Sequence, residues 1–312
     1  MTDNKNISIV IPAYNEADNL PKLINAIKAQ YPSCEIIVID DGSTDDTAKV
    51  AASCDVKVYK HPYNIGNGAA IKNGLRFSNG EIVVFMDADG QHNPNDIGKL
   101  LEFIPEYDMV IGSRSSKDQA TLFRSLANTV FNILGSYVSN FPIKDLTSGF
   151  RAVKREIALE FIDLLPNTFS YPTTLTLGFL RSGRTIKFVP ITTYKRLNGK
   201  SKISLFKDGA RFFYIIVRIC TIYSPMRIFF PLSIMFFSVG LFYYLYTYIT
   251  QGRFTNMSAL LFVHSTLIFT LGLISEQICQ LRYEKSQQGK LTAVSYQLPA
   301  ESKHQKIDRE KP

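Results

Sequence analysis

The sequence predicts an α/β domain on a mostly parallel sheet, followed by a hairpin of two membrane-length helices. Three observations carry this. Short apolar, β-rich runs alternate with stretches of helical periodicity through the first two-thirds of the 312-residue chain, the pattern of parallel strands joined by helices. Past Arg227 the composition changes sharply to two long segments almost without charge. Finally, the apolar runs end in unusual polar clusters, and sheets of this class bind ligands at the carboxyl ends of their strands.

The first β-rich run is residues 7–11, and residues 16–30 follow with helical spacing of Leu20, Leu23, Ile24 and Ile27. Residues 35–39 read as the next strand and 44–53 as the next helix. A strand at 56–60, a helix at 71–77 and strands at 82–86 and 109–112 continue the alternation. Residues 205–223 mix Phe206, Phe212, Phe213, Ile215 and Ile216 with Lys207, Arg211 and Arg218. That mixture suits a helix lying in a membrane interface, its long cations reaching toward headgroups.

The two apolar segments cover about residues 228–250 and 257–280, each long enough to cross hydrocarbon as a helix. Residues 251–256 form a polar link. Arg211, Arg218 and Arg227 precede the pair and Arg282, Lys285 and Lys290 follow it, while the link carries only Arg253. The excess of positive charge on both flanks places them, and the N-terminal domain, in the cytosol at an inner or cytoplasmic membrane. Glu276 falls at the interface end of the second segment, and His264, lying deeper, is expected to make a helix-packing hydrogen bond. The tail after Gly289 is expected to be poorly ordered. The resulting organisation is a catalytic domain at 1–204, a juxtamembrane helix region at 205–226, two spans within 227–281 and a polar tail at 282–312.

Hydrophobic residues make up 46% and charged residues 20%, which excludes a disordered chain. The net charge of +8 admits nucleic acid, an anionic membrane or a phosphate-bearing substrate. Cys34, Cys54, Cys220 and Cys279 form no C-x-x-C pair, which argues against a zinc site or a disulfide framework. The apolar run at the N-terminus is too short for a signal peptide and ends at Pro12.

The strand ends carry the chemistry. After the first comes Pro12-Ala13-Tyr14-Asn15-Glu16, after the second Asp40-Asp41-Gly42-Ser43-Thr44-Asp45, and after the strand at 82–86 Asp87-Ala88-Asp89-Gly90-Gln91-His92. Adjacent carboxylates at the end of an apolar strand repel one another and lose solvation unless a cation or hydrogen-bond donors compensate. Asp87 and Asp89 can face one cleft and suit Mg²⁺ or Mn²⁺ holding substrate phosphates. A turn or helix cap built from Asp and Gly is the alternative. Asp45 and Asp46 read as caps. Gly66, Gly68, Gly74 and Lys72 fit neither a P-loop nor a dinucleotide fingerprint.

The order of these stretches resembles the family-two glycosyltransferases of GT-A fold, and within them the polyprenyl-phosphate glycosyltransferases that include dolichol-phosphate mannose synthase. The resemblance covers about residues 6–204 and rests on IVIPAYNE (9–16), IIVIDDGSTD (36–45), FMDADGQH (85–92), IGSR (111–114), DLTSGFRAVKR (145–155) and GKSK (199–202). It implies that Pro12, Tyr14, Glu16 and Asp41 form the pocket for base and ribose, with Asp87 beside the donor. It further implies that Asp89 and Gln91 ligate Mg²⁺ or Mn²⁺ at the donor diphosphate. Arg114 and Arg124 match arginines that meet the acceptor phosphate or the diphosphate, and Arg196 and Lys202 belong to a basic segment that closes over the nucleotide. Asp145 and the run 147–151 are structural or near the sugar. The implied reaction is a single inverting displacement in which an already ionised polyprenyl phosphate attacks without a strong general base. His61 and His92 are accordingly expected in supporting or loop roles.

Other readings fit less well. A processive polysaccharide synthase requires a Q-x-x-R-W motif and a larger channel, and the chain has no tryptophan. A transferase acting on another acceptor stays open, as does an inactive membrane scaffold, although the latter predicts erosion of Asp87, Asp89, Gln91, Arg114 and Arg196, all present. Nucleic acid is disfavoured because the positive charge tracks the membrane flanks. A homo-oligomer is compatible with the sequence. Residues 115–121 lack the glycine pair often seen in mannose synthases, which favours a UDP-linked hexose or N-acetylhexosamine over GDP-mannose.

Overall fold

A computed structural model describes residues 6–114, 122–167, 170–194 and 223–297. The sheet contains β1 (Ile7–Ala13), β2 (Glu35–Asp40), β3 (Lys57–Lys60), β4 (Ile82–Phe85), β5 (Met109–Arg114), β6 (Arg151–Lys154) and β7 (Ile186–Ile191). Its order is β3-β2-β1-β4-β6-β5-β7. Every pairing is parallel except those of β6, which runs antiparallel between β4 and β5. The order reverses between β1 and β4, so the loops that leave these strands diverge and open a crevice at their carboxyl ends.

Side chains alternate along each strand, and both faces are covered. Val10, Ile37, Ile39, Val83, Phe85, Met109 and Ile111 point to one buried layer, and Ile9, Ile11, Ile36, Val38, Ile82, Val84 and Val110 to the other. The first layer is closed by α3 (Asn67–Phe77), α5 (Leu122–Ser139), α6 (Arg155–Glu160) and α7 (Tyr171–Arg181). The second is closed by α1 (Leu20–Gln30), α2 (Thr47–Ser53) and α4 (Asp96–Leu101). Helix α3 lies so close to β1 that a Cβ at Gly74 would sit 2.1 Å from Val10 Cγ1.

Two helices start later than their apolar spacing suggests. Helix α1 begins at Leu20 rather than at residue 16, because Glu16 and Asn19 make a turn in which the Asn19 amide donates to Glu16 at 2.6 Å. Helix α2 begins at Thr47, after Asp45 accepts the Thr47 amide at 3.0 Å. Asp45 is therefore the capping side chain, while Asp46, the formal N-cap, makes no capping bond and pairs with Lys49 instead. Helix α3 begins earlier, at Asn67, because Gly66 (φ +122°) turns the chain into it.

The C-terminal part is a hairpin of α8 (Met226–Gln251) and α9 (Asn256–Gln297). Met226–Gln251 and Asn256–Leu281 are both 26 residues with a mean hydropathy of 1.9, and both are long and apolar enough to cross a membrane. Small residues bring the helices together: a Cβ at Gly240 would meet Leu261 at 3.0 Å, and one at Gly272 would meet Phe229 at 2.6 Å. Ser265 also donates to the Ser233 carbonyl at 2.9 Å. His264 does not join the two helices. Its ring nitrogen bonds the Leu260 carbonyl of its own helix at 2.8 Å, satisfying a polar group where no partner faces it. The helical backbone runs past Gly289 to Gln297, longer than expected, since residues 284–297 contain good helix formers and no proline.

The hairpin is anchored to the catalytic layer at its base. Tyr223 and Ile228 pack against the first core layer, and Arg181 at the end of α7 pairs with Glu276 of α9 at 3.1 Å. Glu276 thus lies where the hairpin meets the domain.

Candidate active site

The loops after β1 and β2 are stapled to one another. The Asn15 amide donates to Ser43 Oγ at 2.9 Å and Thr44 donates back to Asn15 Oδ1 at 2.9 Å, with Asn15 at φ +55°. Gly42 allows this turn at φ +71°. Asp41 is buried at its centre: Oδ1 takes His61 Nδ1 at 2.7 Å and the Ile65 amide at 2.9 Å, and Oδ2 takes the Gly66 amide at 2.9 Å. The carboxylate of Asp41 therefore ties the loop 61–66 to the strand end, and His61 supports it, held in turn by Asn73 at 2.8 Å. Tyr14 stands 45% exposed beside Pro12 and the buried Glu16, leaving an aromatic face open to a stacking partner. The structure thus brings Pro12, Tyr14, Glu16 and Asp41 to adjoining strand ends.

Across the crevice, β4 delivers the segment Asp87–Gln91. Gly90 at φ +70° turns it, and the Gln91 amide donates to Asp89 Oδ1 at 3.1 Å. The turn and the two carboxylates coexist in one segment. The segment is braced by the residues that follow β7: Tyr194 donates its amide to the Gln91 carbonyl at 2.9 Å, and His92 bridges Thr193. His92 stacks on Phe150 with centroids 5.0 Å apart, and its Nε2 lies 3.8 Å from Asp87 Oδ2. It supports the loop, as expected.

Arg114, the last residue of β5, is gripped by Asp145. Its Nε donates to Asp145 Oδ2 at 2.8 Å, Nη2 to Oδ1 at 3.1 Å and to Thr147 Oγ1 at 2.7 Å. Burial opposes the Arg114 charge, but the hydrogen bonds and charge of Asp145, with Asp87 and Asp89 beyond, raise its pKa above the ordinary value. Burial likewise opposes ionisation of Asp145, and Arg114 with the Thr147 amide overcomes it, holding that carboxyl below the usual range. Asp145 is therefore the residue that orients Arg114. Arg124 lies on the backbone of α5 with its side chain outside the described residues, as are Arg196, Lys202 and the segments 115–121 and 195–222.

Among the described residues no three His, Cys, Asp or Glu side chains converge as a closed metal cage. Two half-buried carboxylates and the Gln91 amide on one turn fit Mg²⁺ or Mn²⁺ that draws its remaining ligands from water and substrate phosphate. Sequence reasoning did not single out Tyr171, the first residue of α7, and took the fully buried Arg151 only as part of the run 147–151. Both lie beneath Asp87, and only the fold brings them there.

The sequence pattern described as Glycosyl transferase family 2 matches residues 8–161, and that of the GtrB C-terminal hairpin matches residues 224–281. The putative glycosyltransferase CsbB of Bacillus subtilis (strain 168) is 30% identical over 303 residues, 89% of this chain and 88% of the relative. The chain belongs to glycosyl transferase family 2. A further relative, the polyprenol monophosphomannose synthase of Mycolicibacterium smegmatis, is 32% identical over 63% of this chain and 80% of its own. In fold, the chain is similar to the crystal structure of glucosyl-3-phosphoglycerate synthase from Mycobacterium tuberculosis. That likeness has a TM-score of 0.56 at 23% identity and covers 69% of this chain and 79% of that one. The family 2 region and the hairpin region lie on either side of residues 162–223, so the glycosyltransferase domain and the apolar helices belong to one chain.

Proposed function

We propose that this family 2 glycosyltransferase moves a sugar from a nucleotide-sugar donor onto a polyprenyl phosphate, with inversion, at the cytosolic face of a membrane. The observation that carries the reading is that the Asp87–Gln91 turn, after β4, shares one edge of the sheet with an arginine that Asp145 holds at the end of β5. One side suits a donor diphosphate and the other an anionic acceptor. The relative named as a polyprenol monophosphomannose synthase supports the acceptor class, and the apolar hairpin supports a site fixed at a membrane where such a lipid resides. The proposed division is a catalytic domain at 1–204, a juxtamembrane region at 205–226, spans within 227–281 and a cytosolic tail.

In this reading Tyr14 stacks on the base and Pro12, Glu16 and Asp41 shape the base and ribose pocket. Asp87 orients the donor, and Asp89 with Gln91 would hold Mg²⁺ or Mn²⁺. That ion supplies positive charge to the departing nucleoside diphosphate. Arg114, and Arg124 with it, meets the acceptor phosphate and keeps its attacking oxygen directed at the anomeric carbon. The phosphate is ionised at neutral pH, so no side chain is needed to remove a proton. Arg196 and Lys202 close over the nucleotide. The donor we favour is a UDP-hexose or UDP-N-acetylhexosamine, and the acceptor undecaprenyl phosphate.

The test is transfer by purified protein to undecaprenyl phosphate from labelled UDP- and GDP-sugars, with Mg²⁺ or Mn²⁺, with EDTA and in Asp89→Ala. Metal-dependent formation of one glycolipid, reduced at least a hundredfold in the variant, is the expected result. Tight nucleotide binding without transfer from any donor would point to a different acceptor. Loss of nucleotide binding altogether would favour an inactive scaffold.

A further inference from the structure

Beneath the Asp87 turn lies a group of buried polar atoms whose hydrogen-bonding capacity the described residues leave unused. They are Tyr171 Oη, Ser148 Oγ, Arg151 Nε and His92 Nδ1. Buried polar atoms are normally paired, so such a group marks either a structural cost or a task performed when a ligand arrives. Tyr171 is the most informative of them. It is 1% exposed and opens α7, with its ring edge-on to Phe85 at 6.4 Å. Phe85 ends the strand that delivers Asp87, so the tyrosine ring is fixed under the loop it faces. Burial, reinforced by the charge of Asp87, raises the pKa of its hydroxyl, which therefore keeps its proton and is a permanent donor.

Gly149 supplies the geometry. A Cβ there would lie 2.9 Å from Asp87 Oδ2, 3.3 Å from Oδ1 and 3.2 Å from the Tyr171 oxygen. Carboxylate and hydroxyl thus both border the space beside Gly149, and a side chain there would crowd them. Arg151 stands behind them. It is fully buried and donates to the carbonyls of Pro172 and Ser148 and to Thr176 Oγ1, with no ion pair among the described residues. Burial brings its pKa down to about 10, so at neutral pH it remains a cation whose field reaches Asp145 and Asp87.

We propose that Tyr171 is a positioning residue for the donor site, its hydroxyl fixing the orientation of the Asp87 carboxylate across Gly149 when metal and diphosphate enter the cleft. A small rotation of the carboxylate, or one intervening water, completes the bond. The hydroxyl that the described residues leave unused then acquires its partner in the loaded state. This inference rests on the reading of Asp87 as a donor-site carboxylate given above.

The experiment compares full-length wild type, Tyr171→Phe, Gly149→Ala and Asp87→Asn. It measures UDP and GDP binding by calorimetry with and without Mn²⁺, together with thermal unfolding. Tyr171→Phe is expected to weaken Mn²⁺-supported nucleotide binding about ten- to hundredfold, the range of one hydrogen bond to a charged group. Metal-free nucleotide binding should be unchanged, and the melting temperature unchanged or higher, because no bond of the ligand-free fold is lost. Gly149→Ala should weaken the same metal-supported binding by displacing the carboxylate from the other side. Wild-type metal-supported binding in Tyr171→Phe would overturn the proposal, as would a loss that comes only with a fall in melting temperature. Asp87→Asn separates the two levels. If it binds as wild type, the donor-site reading of Asp87 fails; if it alone is impaired, only the role of Tyr171 fails. Absence of Mn²⁺-supported binding of either nucleotide to wild type would overturn both.

Discussion

Asp145→Asn tests whether the Arg114 guanidinium is held in place by charge. The substitution keeps the side-chain shape and removes the negative charge from a group only 3% exposed. Asp145 accepts from the Arg114 backbone at 3.2 Å, from its Nε at 2.8 Å and from Nη2 at 3.1 Å, and also from the Thr147 amide at 3.2 Å. An asparagine would turn an amide nitrogen toward one of these donors. Breaking a buried pair from one side costs about 3–5 kcal/mol. Arg114 is 27% exposed at its side chain, so water recovers part of this, and about 2–4 kcal/mol is the working figure. For a domain of this size that corresponds to a fall of about 5–15 °C in melting temperature.

The pH dependence of that loss has a definite sign. The folded-state pKa of Asp145 is lowered, so its stabilisation is fully present above the unfolded value near 4 and is lost as pH falls through the lower folded value. The gap between wild type and variant should stay constant from about pH 5 to 8 and narrow only below about 4. Thermal unfolding of the detergent-purified full-length protein across this range measures it, and the transfer rate should fall at least tenfold as Arg114 loses its direction. A variant within about 0.5 kcal/mol of wild type, or a gap that widens on acidification, would refute the reasoning.

Gly42→Ala should destabilise the domain by about 2–5 kcal/mol, from the left-handed backbone and a forced contact together. The residue sits at φ +71° with a Cβ position 2.4 Å from the Tyr63 carbonyl carbon, so unfolding and nucleotide binding should suffer together. Glu276→Gln should cost about 1–3 kcal/mol, reduced from the fully buried value because both partners of its pair with Arg181 keep about a fifth of their side-chain exposure. Limited proteolysis should then show the hairpin released from α7 more readily, and an unchanged cleavage pattern would argue that Tyr223 and Ile228 suffice as the anchor.

What the sequence makes legible follows from how far apart the interacting residues are. Strands β1, β2 and β4 are near-continuous apolar runs buried on both faces, and that pattern is local. Strand β6 is four residues, Arg-Ala-Val-Lys, whose first side chain is a fully buried arginine; no hydropathy pattern announces it, because its burial depends on the Pro172 carbonyl and Thr176 hydroxyl brought over from α7. Strand β7 contains Lys187 and Pro190, and the lysine is accommodated by lying 3.7 Å over the Phe103 ring, a contact from α4's far end. The same division runs through the site. Asp41, Asp87, Asp89 and Arg114 are visible as polar residues at strand ends, whereas His61 on Asp41, Asp145 on Arg114 and Tyr171 facing Asp87 are joined across intervals of 20 residues and more.

That division has a consequence for how the site works. The strand ends set which groups face the crevice, but the direction in which each points is decided by a partner from elsewhere in the fold. Asp41 is bound by a histidine and two amides, and Arg114 by a carboxylate and a hydroxyl. These groups are spent on one another before any ligand arrives, so their orientation costs nothing on binding. Tyr171 is different: its hydroxyl is buried, protonated and without a hydrogen-bond partner among the described residues. On the proposed reading the site is therefore fixed in advance around Asp41 and Arg114 and adjustable at Asp87, the place that reading assigns to metal and donor diphosphate. A uniformly preorganised cleft would show equal losses of metal-free and metal-supported nucleotide binding on perturbing Asp87's surroundings; an adjustable one confines the loss to the metal-supported state.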